Sequence, residues 1–308
     1  MPTLESPEIQ RAQVAPDRAD RTLACMEIWG GHDGFRGWVS TPGNDVLVSS
    51  VPHVGAAQGG DVYYVSNCAA GKITRFVLAD VAGHGSEVAS LARQLRDQVR
   101  RHINKPDQRR LARGLNASFA SLSAASPSAG SRFATAILAT YFSPTKHLVI
   151  CNAGHPSPLW YRAEVGSWSL IRQGEPGVTS HGTVGVGLAD LPLGVVDDTS
   201  YTQLAVTLDP GDLVVLYSDA FIEARGVRPP HSSVGPSQML GEQGLLEFVR
   251  SLDPSRPDQF EAAFREGVAG GSPLDDDATA IVLRHHGQGP PRQSLMEKAS
   301  TLARRLGL

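Results

Sequence analysis

Four aspartates stand at the ends of apolar segments or in glycine-rich turns, where a carboxylate could do chemistry. They occur in QGGDVYYV, FVLADVAGHG, VVLYSDAFIEA and SPLDDDATAIVL, and they are Asp61, Asp80, Asp219 and Asp276. A strand-end carboxylate is costly to bury without compensation, and several that converge repel one another and resist ionisation. A hard divalent cation removes that conflict, because Mg²⁺ or Mn²⁺ takes oxygen ligands and suits phosphate substrates. The four together predict a metal site, although each alone is typical of a turn or a helix cap.

Motifs for other chemistries are missing from the sequence. It has no G-x-S-x-G of a serine hydrolase, no H-E-x-x-H of a zinc enzyme and no G-x-x-x-x-G-K-[ST] of a phosphate-binding loop. The segment VAGHGS follows an apolar run as a dinucleotide loop would, but it lacks the third glycine and a β-α-β unit. An ordinary tight turn and a metal-binding turn remain as the two interpretations of this segment.

Composition sets broad limits on the class of protein. The chain has 308 residues, 41% of them hydrophobic, which is enough for a sizeable core. Its formal net charge of −3 is not the electrostatic pattern of a nucleic-acid-binding protein. The three cysteines, Cys25, Cys68 and Cys151, are far apart and predict neither a disulfide framework nor a C-x-x-C metal pair. The start lacks an apolar leader and no long apolar run occurs, so we expect a soluble cytoplasmic protein without membrane contact.

The elements that must position the aspartates can be inferred from the spacing of apolar residues. Strands are predicted at 37–40, 45–53, 61–67 and 73–81. Helical spacing follows, with Ser86 predicted to cap a first helix and Asp107 a second. A β-rich half, two further helical segments and a last strand at 278–286 complete the order. Because regular β-α-β alternation is missing, we expect packed antiparallel sheets with helices outside.

The two ends of the sequence differ in character from the part between them. Residues 1–24 are polar and proline-punctuated, and we interpret them as a flexible arm before a domain at 25–286. Residues 287–308 are predicted to be a linker followed by an amphipathic helix. That helix either docks on its own domain or binds a partner.

Ordered motifs give the chain a resemblance to a known family. They are GGDVYYV, LADVAGHGSEVASL, RFATAILATYFSPTKHLVICNAGHPSPLWYR, PLGV, GDLVVLYSDAFIEA and DDDATAIVL. In this order they resemble the metal-dependent protein phosphatases of the phosphatase 2C-like (PP2C-like) class, in particular its bacterial SpoIIE-type branch, from about residue 45 to residue 286. The resemblance implies an α+β fold, a four-layer αββα sandwich of two antiparallel sheets flanked by helices. It also implies a centre of two Mn²⁺ or Mg²⁺ ions between the sheets.

Ligand roles also follow from the resemblance, residue by residue. Asp80 would bridge both ions, and the Val81 carbonyl would bind the second ion. Asp61 would serve the second ion directly or through water, and Asp219 and Asp276 would hold the first. Asp61, Asp80, Asp219 and Asp276 are also expected to be catalytic, because two close cations can activate water for attack on phosphorus.

Five further positions in these motifs also bear on this centre. Asp277 is the less favoured ligand of the Asp276–Asp277 pair. Ala220 stands where the family usually has glycine, and Tyr64 where many relatives have a second aspartate, so either change could weaken metal binding. His84 and His155 could each protonate a leaving oxygen or serve as structural turn residues.

The activity implied by the resemblance is hydrolysis of phosphoserine or phosphothreonine in a regulatory protein, such as an anti-sigma factor antagonist. Because relatives often carry a sensor domain and none is recognised here, control is expected from a separate partner protein, the 1–45 arm or the tail. Two alternatives stay open. The first is a pseudophosphatase that acts as a binding module, which the residues at 64 and 220 motivate. The second is a phosphoesterase that acts on small molecules.

Overall fold

The strands of the chain form two antiparallel sheets that pack face to face. A computed structural model describes residues 26–31, 34–53, 59–68, 71–83, 85–103, 105, 107–125, 132–182, 188–225, 238–270 and 274–288. The predicted arm at 1–24 and the predicted helix of the tail lie outside these residues, as does His84. In the described part of the chain no helix combines the length and apolar character needed to cross a bilayer.

The first sheet has seven strands in the described part of the chain. In chain order they are β1 (Met26–Gly30), β4 (Asp61–Cys68), β5 (Ile73–Val81), β6 (Ala134–Phe142), β7 (His147–Ala153), β10 (Thr179–His181) and β11 (Gln203–Thr207). Their spatial order is β1-β4-β5-β6-β7-β11-β10, and every named pair is antiparallel. The short edge strands β1 and β10 were not predicted from the sequence, because neither carries a long apolar alternation.

The second sheet has six strands among the described residues. They are β2 (Phe35–Thr41), β3 (Asn44–Val51), β8 (Leu159–Arg162), β9 (Ser167–Leu170), β12 (Leu213–Tyr217) and β13 (Ala278–His285). Their spatial order is β2-β3-β13-β12-β8-β9, again antiparallel. The chain crosses from one sheet to the other between β7 and β8, in the segment that contains His155.

Helices cover the outer face of each sheet, which gives four layers. The first sheet is covered by α1 (Ser86–His102) and α2 (Gln108–Ala124). The second is covered by α3 (Ala220–Glu223), α4 (Gly241–Val249) and α5 (Pro257–Ala269). One apolar core lies between the two sheets and one under each helical layer. The predicted αββα sandwich is therefore confirmed.

Of the two predicted helix caps, the structure confirms Asp107 and contradicts Ser86. Asp107 caps α2, since its Oδ1 accepts hydrogen bonds from the backbone N–H groups of Arg109 at 2.9 Å and Arg110 at 3.4 Å. The prediction for Ser86 was wrong. Ser86 is the first residue of α1, and Gly85 occupies the cap position with φ 97° and no side-chain hydrogen bond. A positive φ is costly for other residues, so the glycine turn itself sets the start of α1.

Candidate metal centre

Asp61 and Asp80 lie directly opposite each other on neighbouring strands. Asp61 begins β4, Asp80 is the next-to-last residue of β5, and the two are register partners. Because side chains alternate along a strand, Asp61 shares a face with Tyr63, which belongs to the core between the sheets. Leu78, two residues before Asp80, belongs to the same core. Both carboxylates are therefore at the end of the first sheet, on the face that meets the second sheet.

The second sheet contributes two acidic loops from adjacent strands. Asp219 follows β12, and Asp276 precedes β13. Hydrogen bonds of Ser218 connect the two loops: its N–H donates to the Thr279 carbonyl at 2.9 Å, and its hydroxyl donates to the Asp277 carbonyl at 3.1 Å. Asp219 and Asp276 are held on one edge of the sheet in this way.

Asp219 and Asp276 of the second sheet lie close enough to Asp80 of the first to affect its pKa. Burial raises the pKa of Asp80 above its usual value, and the next contributions come from Asp219 and Asp276. Burial also raises the pKa of Asp219 to about 6, with further increases from Glu223 and Asp276. Each shift reflects negative charges that are close together in a region poor in water. A cation between the sheets would remove this repulsion.

Asp61 is the most deeply buried of the four predicted carboxylates. Only 1% of its surface is exposed, and neither carboxylate oxygen has a hydrogen-bond partner. Burial and then the charge of Asp80 raise its pKa well above the usual range, while the Thr279 hydroxyl acts in the opposite direction. That hydroxyl is engaged by Ser50 at 2.9 Å. Since a buried unpaired carboxylate is costly, its two free oxygens are suited to a metal or to metal-bound water.

The backbone of the turn before Asp61 passes close to two of the predicted ligand oxygens. A Cβ atom added at Gly60 would lie 2.9 Å from the carbonyl oxygen of Val81 and 3.1 Å from Asp80 Oδ1. The carbonyl and the carboxylate assigned to the metals thus approach one point. The Val88 Cγ1 methyl carbon lies 3.2 Å from the same position, so only glycine fits there. The closely spaced oxygens and the unpaired carboxylate of Asp61 fit a divalent cation.

The described side chains do not, however, form a complete coordination shell for a metal ion. Within the described ranges, no group of three or more His, Cys, Asp or Glu side chains is placed so that it could hold an ion by itself. Mg²⁺ usually keeps several waters and takes only one or two carboxylates, and Asp61 was predicted to act directly or through water. The arrangement therefore fits ions held jointly by carboxylates, a backbone carbonyl and water.

Asp277 has a different environment from its neighbour. Its Oδ1 accepts from the His53 N–H at 2.8 Å, and its Oδ2 accepts from the Gly60 N–H at 2.6 Å. Asp276 is exposed, and its Oδ1 accepts from the Asp277 N–H at 2.7 Å. Asp277 thus anchors the turn that carries Gly60, which leaves Asp276 as the better placed ligand candidate.

Comparison with known proteins assigns a family to this arrangement. The family model described as Stage II sporulation protein E (SpoIIE) matches residues 70–286, which is most of the chain. The chain belongs to the SpoIIE family. This match covers Asp80, Asp219 and Asp276, and it begins after Asp61.

Solved structures similar to this SpoIIE-family chain share its sandwich. The structure of the RsbU and RsbW domains of a Mycobacterium tuberculosis protein is 24% identical over 87% of this chain and 68% of that chain, with a TM-score of 0.62. A Bacillus subtilis SpoIIE structure with its PP2C phosphatase domain is 14% identical over 85% of this chain and 70% of that chain, with a TM-score of 0.58. RsbX in complex with magnesium is 14% identical over 82% of this chain and all of that chain, with a TM-score of 0.56. At these identities the similarity shows the PP2C-like fold.

The structure describes the surroundings of the two departures from the SpoIIE-family pattern. Ala220 begins α3 and is not among the described non-glycine residues with positive φ, which are Lys146 and Asp190. Alanine suits that helical position, so no backbone strain arises. Tyr64 packs in the core beneath α1 and α2, on the opposite face of β4 from Asp61. It does not face the carboxylates.

Sequence reasoning missed one acidic residue at this site of the SpoIIE-family chain. Glu223 is exposed on α3, four residues after Asp219, and its charge contributes to the raised pKa values of Asp219 and Asp80. The signal was present in SDAFIEA, because residues four apart share a helix face. It was missed because the short helix α3, which contains Glu223 and follows the end of β12 at Tyr217, was not predicted from the sequence.

For His155 the sequence left two roles open, proton donor and structural residue. In the structure both its ring and its backbone are hydrogen-bonded. Only 6% of its surface is exposed, and its ring is hydrogen-bonded to Thr135 Oγ1 at 2.8 Å and to the Tyr217 carbonyl at 3.1 Å. The Asn152 side chain bonds both its N–H and its carbonyl at 2.7 Å. Burial lowers its pKa to about 4. A neutral ring with both nitrogens engaged favours the structural role over proton donation.

Proposed function

We propose that this protein is a metal-dependent protein serine/threonine phosphatase. The main observation behind this proposal is the environment of Asp61. Its two buried carboxylate oxygens have no hydrogen-bond partner, and it lies opposite Asp80, near the acidic loops of the second sheet. Membership of the SpoIIE family supports phosphoester hydrolysis. The proposed cofactor is a pair of Mn²⁺ or Mg²⁺ ions, and the magnesium bound by the similar protein RsbX supports this choice of metal.

Each part of the site has a role in this proposal. Asp80 would contact both ions, Asp61 and the Val81 carbonyl would face the second, and Asp219 and Asp276 would face the first. When bound, the two ions would neutralise charge on the phosphoryl oxygens and activate water for in-line attack. The proposed reaction requires no covalent nucleophile on the protein, because the attacking group is water.

The proposed substrate is a phosphoserine or phosphothreonine on a regulatory protein, with an anti-sigma factor antagonist as the specific candidate. Family membership supports this substrate class, and fold similarity alone does not determine it. A phosphoesterase for small molecules would use the same centre. A pseudophosphatase is less favoured, because the replacements at 64 and 220 leave the carboxylates in place.

Regulation by a partner protein is part of the same proposal. We propose that residues 25–286 form the catalytic domain and that the arm or the tail contacts the regulator. Deletion of residues 287–308 tests the tail, and unchanged turnover together with unchanged partner binding would remove it from the proposal.

Metal-dependent turnover is the deciding experiment. Hydrolysis of p-nitrophenyl phosphate and of a phosphoserine peptide is measured with Mn²⁺, with Mg²⁺ and with chelator, on the wild type, Asp80→Ala and Asp212→Asn. Asp212 is a matched control, since it is also buried but accepts hydrogen bonds from Trp160, Ala163 and Asp209. We expect turnover that the chelator and Asp80→Ala abolish and Asp212→Asn retains. No metal-dependent turnover by the wild type on either substrate would leave the binding-module interpretation in place.

A further inference from the structure

Two buried histidines connect the two sheets by hydrogen bonds. His155 joins Thr135 of β6 in the first sheet to the Tyr217 carbonyl of β12 in the second. His285 of β13 in the second sheet is 3.3 Å from the hydroxyl of Tyr141 in β6 of the first. Both histidines are largely buried, at 6% and 1% exposed. Each connection spans the core between the sheets.

The two connections lie at opposite ends of the sandwich. Thr135 and Tyr141 are six residues apart on β6, which at about 3.3 Å per residue separates them by about 20 Å. The Thr135 end is the carboxylate end, because Thr135 is the register partner of Asp80. Tyr141 pairs instead with Thr74, near the start of β5. The chain thus provides a connection at the site and a comparable one away from it.

The hydrogen bonds of His155 fix its ring in one tautomer. A carbonyl oxygen only accepts, so Nε2 carries the proton that is donated to Tyr217. In the neutral ring Nδ1 is then an acceptor, and the Thr135 hydroxyl donates to it. Because both directions are determined, the ring specifies the distance between β6 and the end of β12.

Both partners of His155 are next to proposed metal ligands. Thr135 lies across the strand pair from Asp80 in the first sheet. Tyr217 is two residues before Asp219 in the second. The separation of Asp80 and Asp219 therefore depends on the gap that the imidazole spans. Asn152 holds the backbone of His155, so the ring cannot shift easily to follow a wider gap.

We propose that His155 is a positioning residue that sets the gap between the sheets at the carboxylate end and thereby the affinity of the site for divalent cations. This inference rests on the proposed metal centre. Groups that orient ligands from outside the coordination sphere change metal affinity by about 10–100-fold when they are replaced. The Tyr141–His285 connection also joins the two sheets through a ring nitrogen and a hydroxyl, but no proposed metal ligand lies beside it, so its loss should affect stability alone.

Binding of Mn²⁺ to the metal-free full-length chain, measured by isothermal titration calorimetry, tests the proposal without any assay of activity. Thr135→Val and Tyr141→Phe each remove one hydroxyl and keep most of the side-chain shape. We expect Thr135→Val to weaken Mn²⁺ binding about tenfold. We expect Tyr141→Phe to change it less than twofold while lowering the melting temperature of the metal-free protein.

A double-mutant cycle separates positioning from a direct effect of Thr135 on the metal. His155→Leu should weaken Mn²⁺ binding at least as much as Thr135→Val, and the double variant no more than His155→Leu alone. His155→Gln, which keeps a donor and an acceptor, should recover part of the affinity. Additive losses, or Mn²⁺ affinities equal to that of the wild type, would overturn the inference. If the wild type itself binds no Mn²⁺, the proposed metal centre fails first.

Discussion

Replacing Asp61 by asparagine separates the cost of a buried carboxylate from its proposed use as a metal ligand. Asparagine has nearly the shape of the protonated acid and cannot ionise. In the native protein the carboxylate is 1% exposed, has no hydrogen-bond partner and faces Asp80. We therefore expect Asp61→Asn to stabilise the metal-free protein at neutral pH and to remove most of the stabilisation by Mn²⁺.

The sign of the pH dependence follows from the direction of the pKa shift. Burial and the charge of Asp80 raise the pKa of Asp61 in the folded state. In the unfolded chain the pKa of an aspartate is about 3.9. As the pH rises above that value, the unfolded state loses its proton first, and the metal-free wild type loses stability until the folded pKa is passed. One such group contributes a slope of about 1.4 kcal/mol per pH unit. Asp61→Asn lacks this contribution, so its advantage should be small at pH 4 and larger at pH 7.

The magnitude at pH 7 can be bounded from the same geometry. An unpaired asparagine still carries the cost of an unsatisfied buried polar group, so the gain comes only from the lost charge. That gain is about 1.4 kcal/mol for each pH unit between about 3.9 and the raised pKa of Asp61. Each kcal/mol raises the melting temperature of a domain of this size by about 2–4 °C. With Mn²⁺ at 100 times its dissociation constant the wild type gains about 2.7 kcal/mol, and the variant should gain much less. The order of stabilities is expected to reverse once the Mn²⁺ concentration makes the gain of the wild type larger than the advantage of the variant.

Thermal unfolding at pH 4, 5, 6 and 7, with chelator and with Mn²⁺, measures both effects. Asp212→Asn is the control, because its carboxylate already accepts three hydrogen bonds. That variant should lose stability under all conditions and keep the full Mn²⁺ shift. The reasoning is refuted if metal-free Asp61→Asn is less stable than the wild type at pH 7, or if it keeps the whole Mn²⁺ shift.

Two further substitutions test parts of the same structure. Ala220→Gly restores the residue usual in the family but replaces a helical alanine, so we expect a loss of about 1 kcal/mol in chemical denaturation and an unchanged Mn²⁺ affinity. A tighter Mn²⁺ affinity would instead support the idea that Ala220 weakens the site. Arg36→Ala removes the 2.9 Å partner of the fully buried Glu261 and leaves Arg265 at 3.5 Å, so we expect a loss of about 3 kcal/mol without any change in Mn²⁺ binding. Equal stabilities in urea would contradict this.

The general architecture could be predicted because its signals are local. Strand alternation around Asp61 and Asp80, helical spacing after Gly85 and the capping aspartate at 107 each lie within a few residues of the element they determine. Strands β1 and β10 could not be found in this way, since their edge positions depend on pairing with distant partners. The start of α1 was misplaced because a glycine with positive φ replaces the expected side-chain cap.

The individual residues of the site could be identified from the sequence more easily than the fact that they lie close together. The aspartates at 61 and 80 meet because β4 and β5 pair in one register, and a shift by one residue would turn one of them toward the helices. The role of Asp277 depends on N–H groups at positions 53 and 60, more than 200 residues earlier. Such contacts leave no periodic signal. The family pattern supplied the preference for Asp276, and the hydrogen bonds of its neighbour give that preference a physical reason.

The carboxylate end of the sandwich is therefore held in a geometry that the metal-free protein does not favour electrostatically. Like charges would separate if the sheets could part, and burial of Asp61 opposes its ionisation. The apolar core between the sheets and the hydrogen bonds of the Asp277 and His155 side chains with backbone groups work against that separation. A site preorganised for cations must accept this cost in their absence, because ligands free to move apart would have to be brought together at each binding event. The same reasoning predicts that changes which relieve the repulsion stabilise the fold and weaken the proposed function.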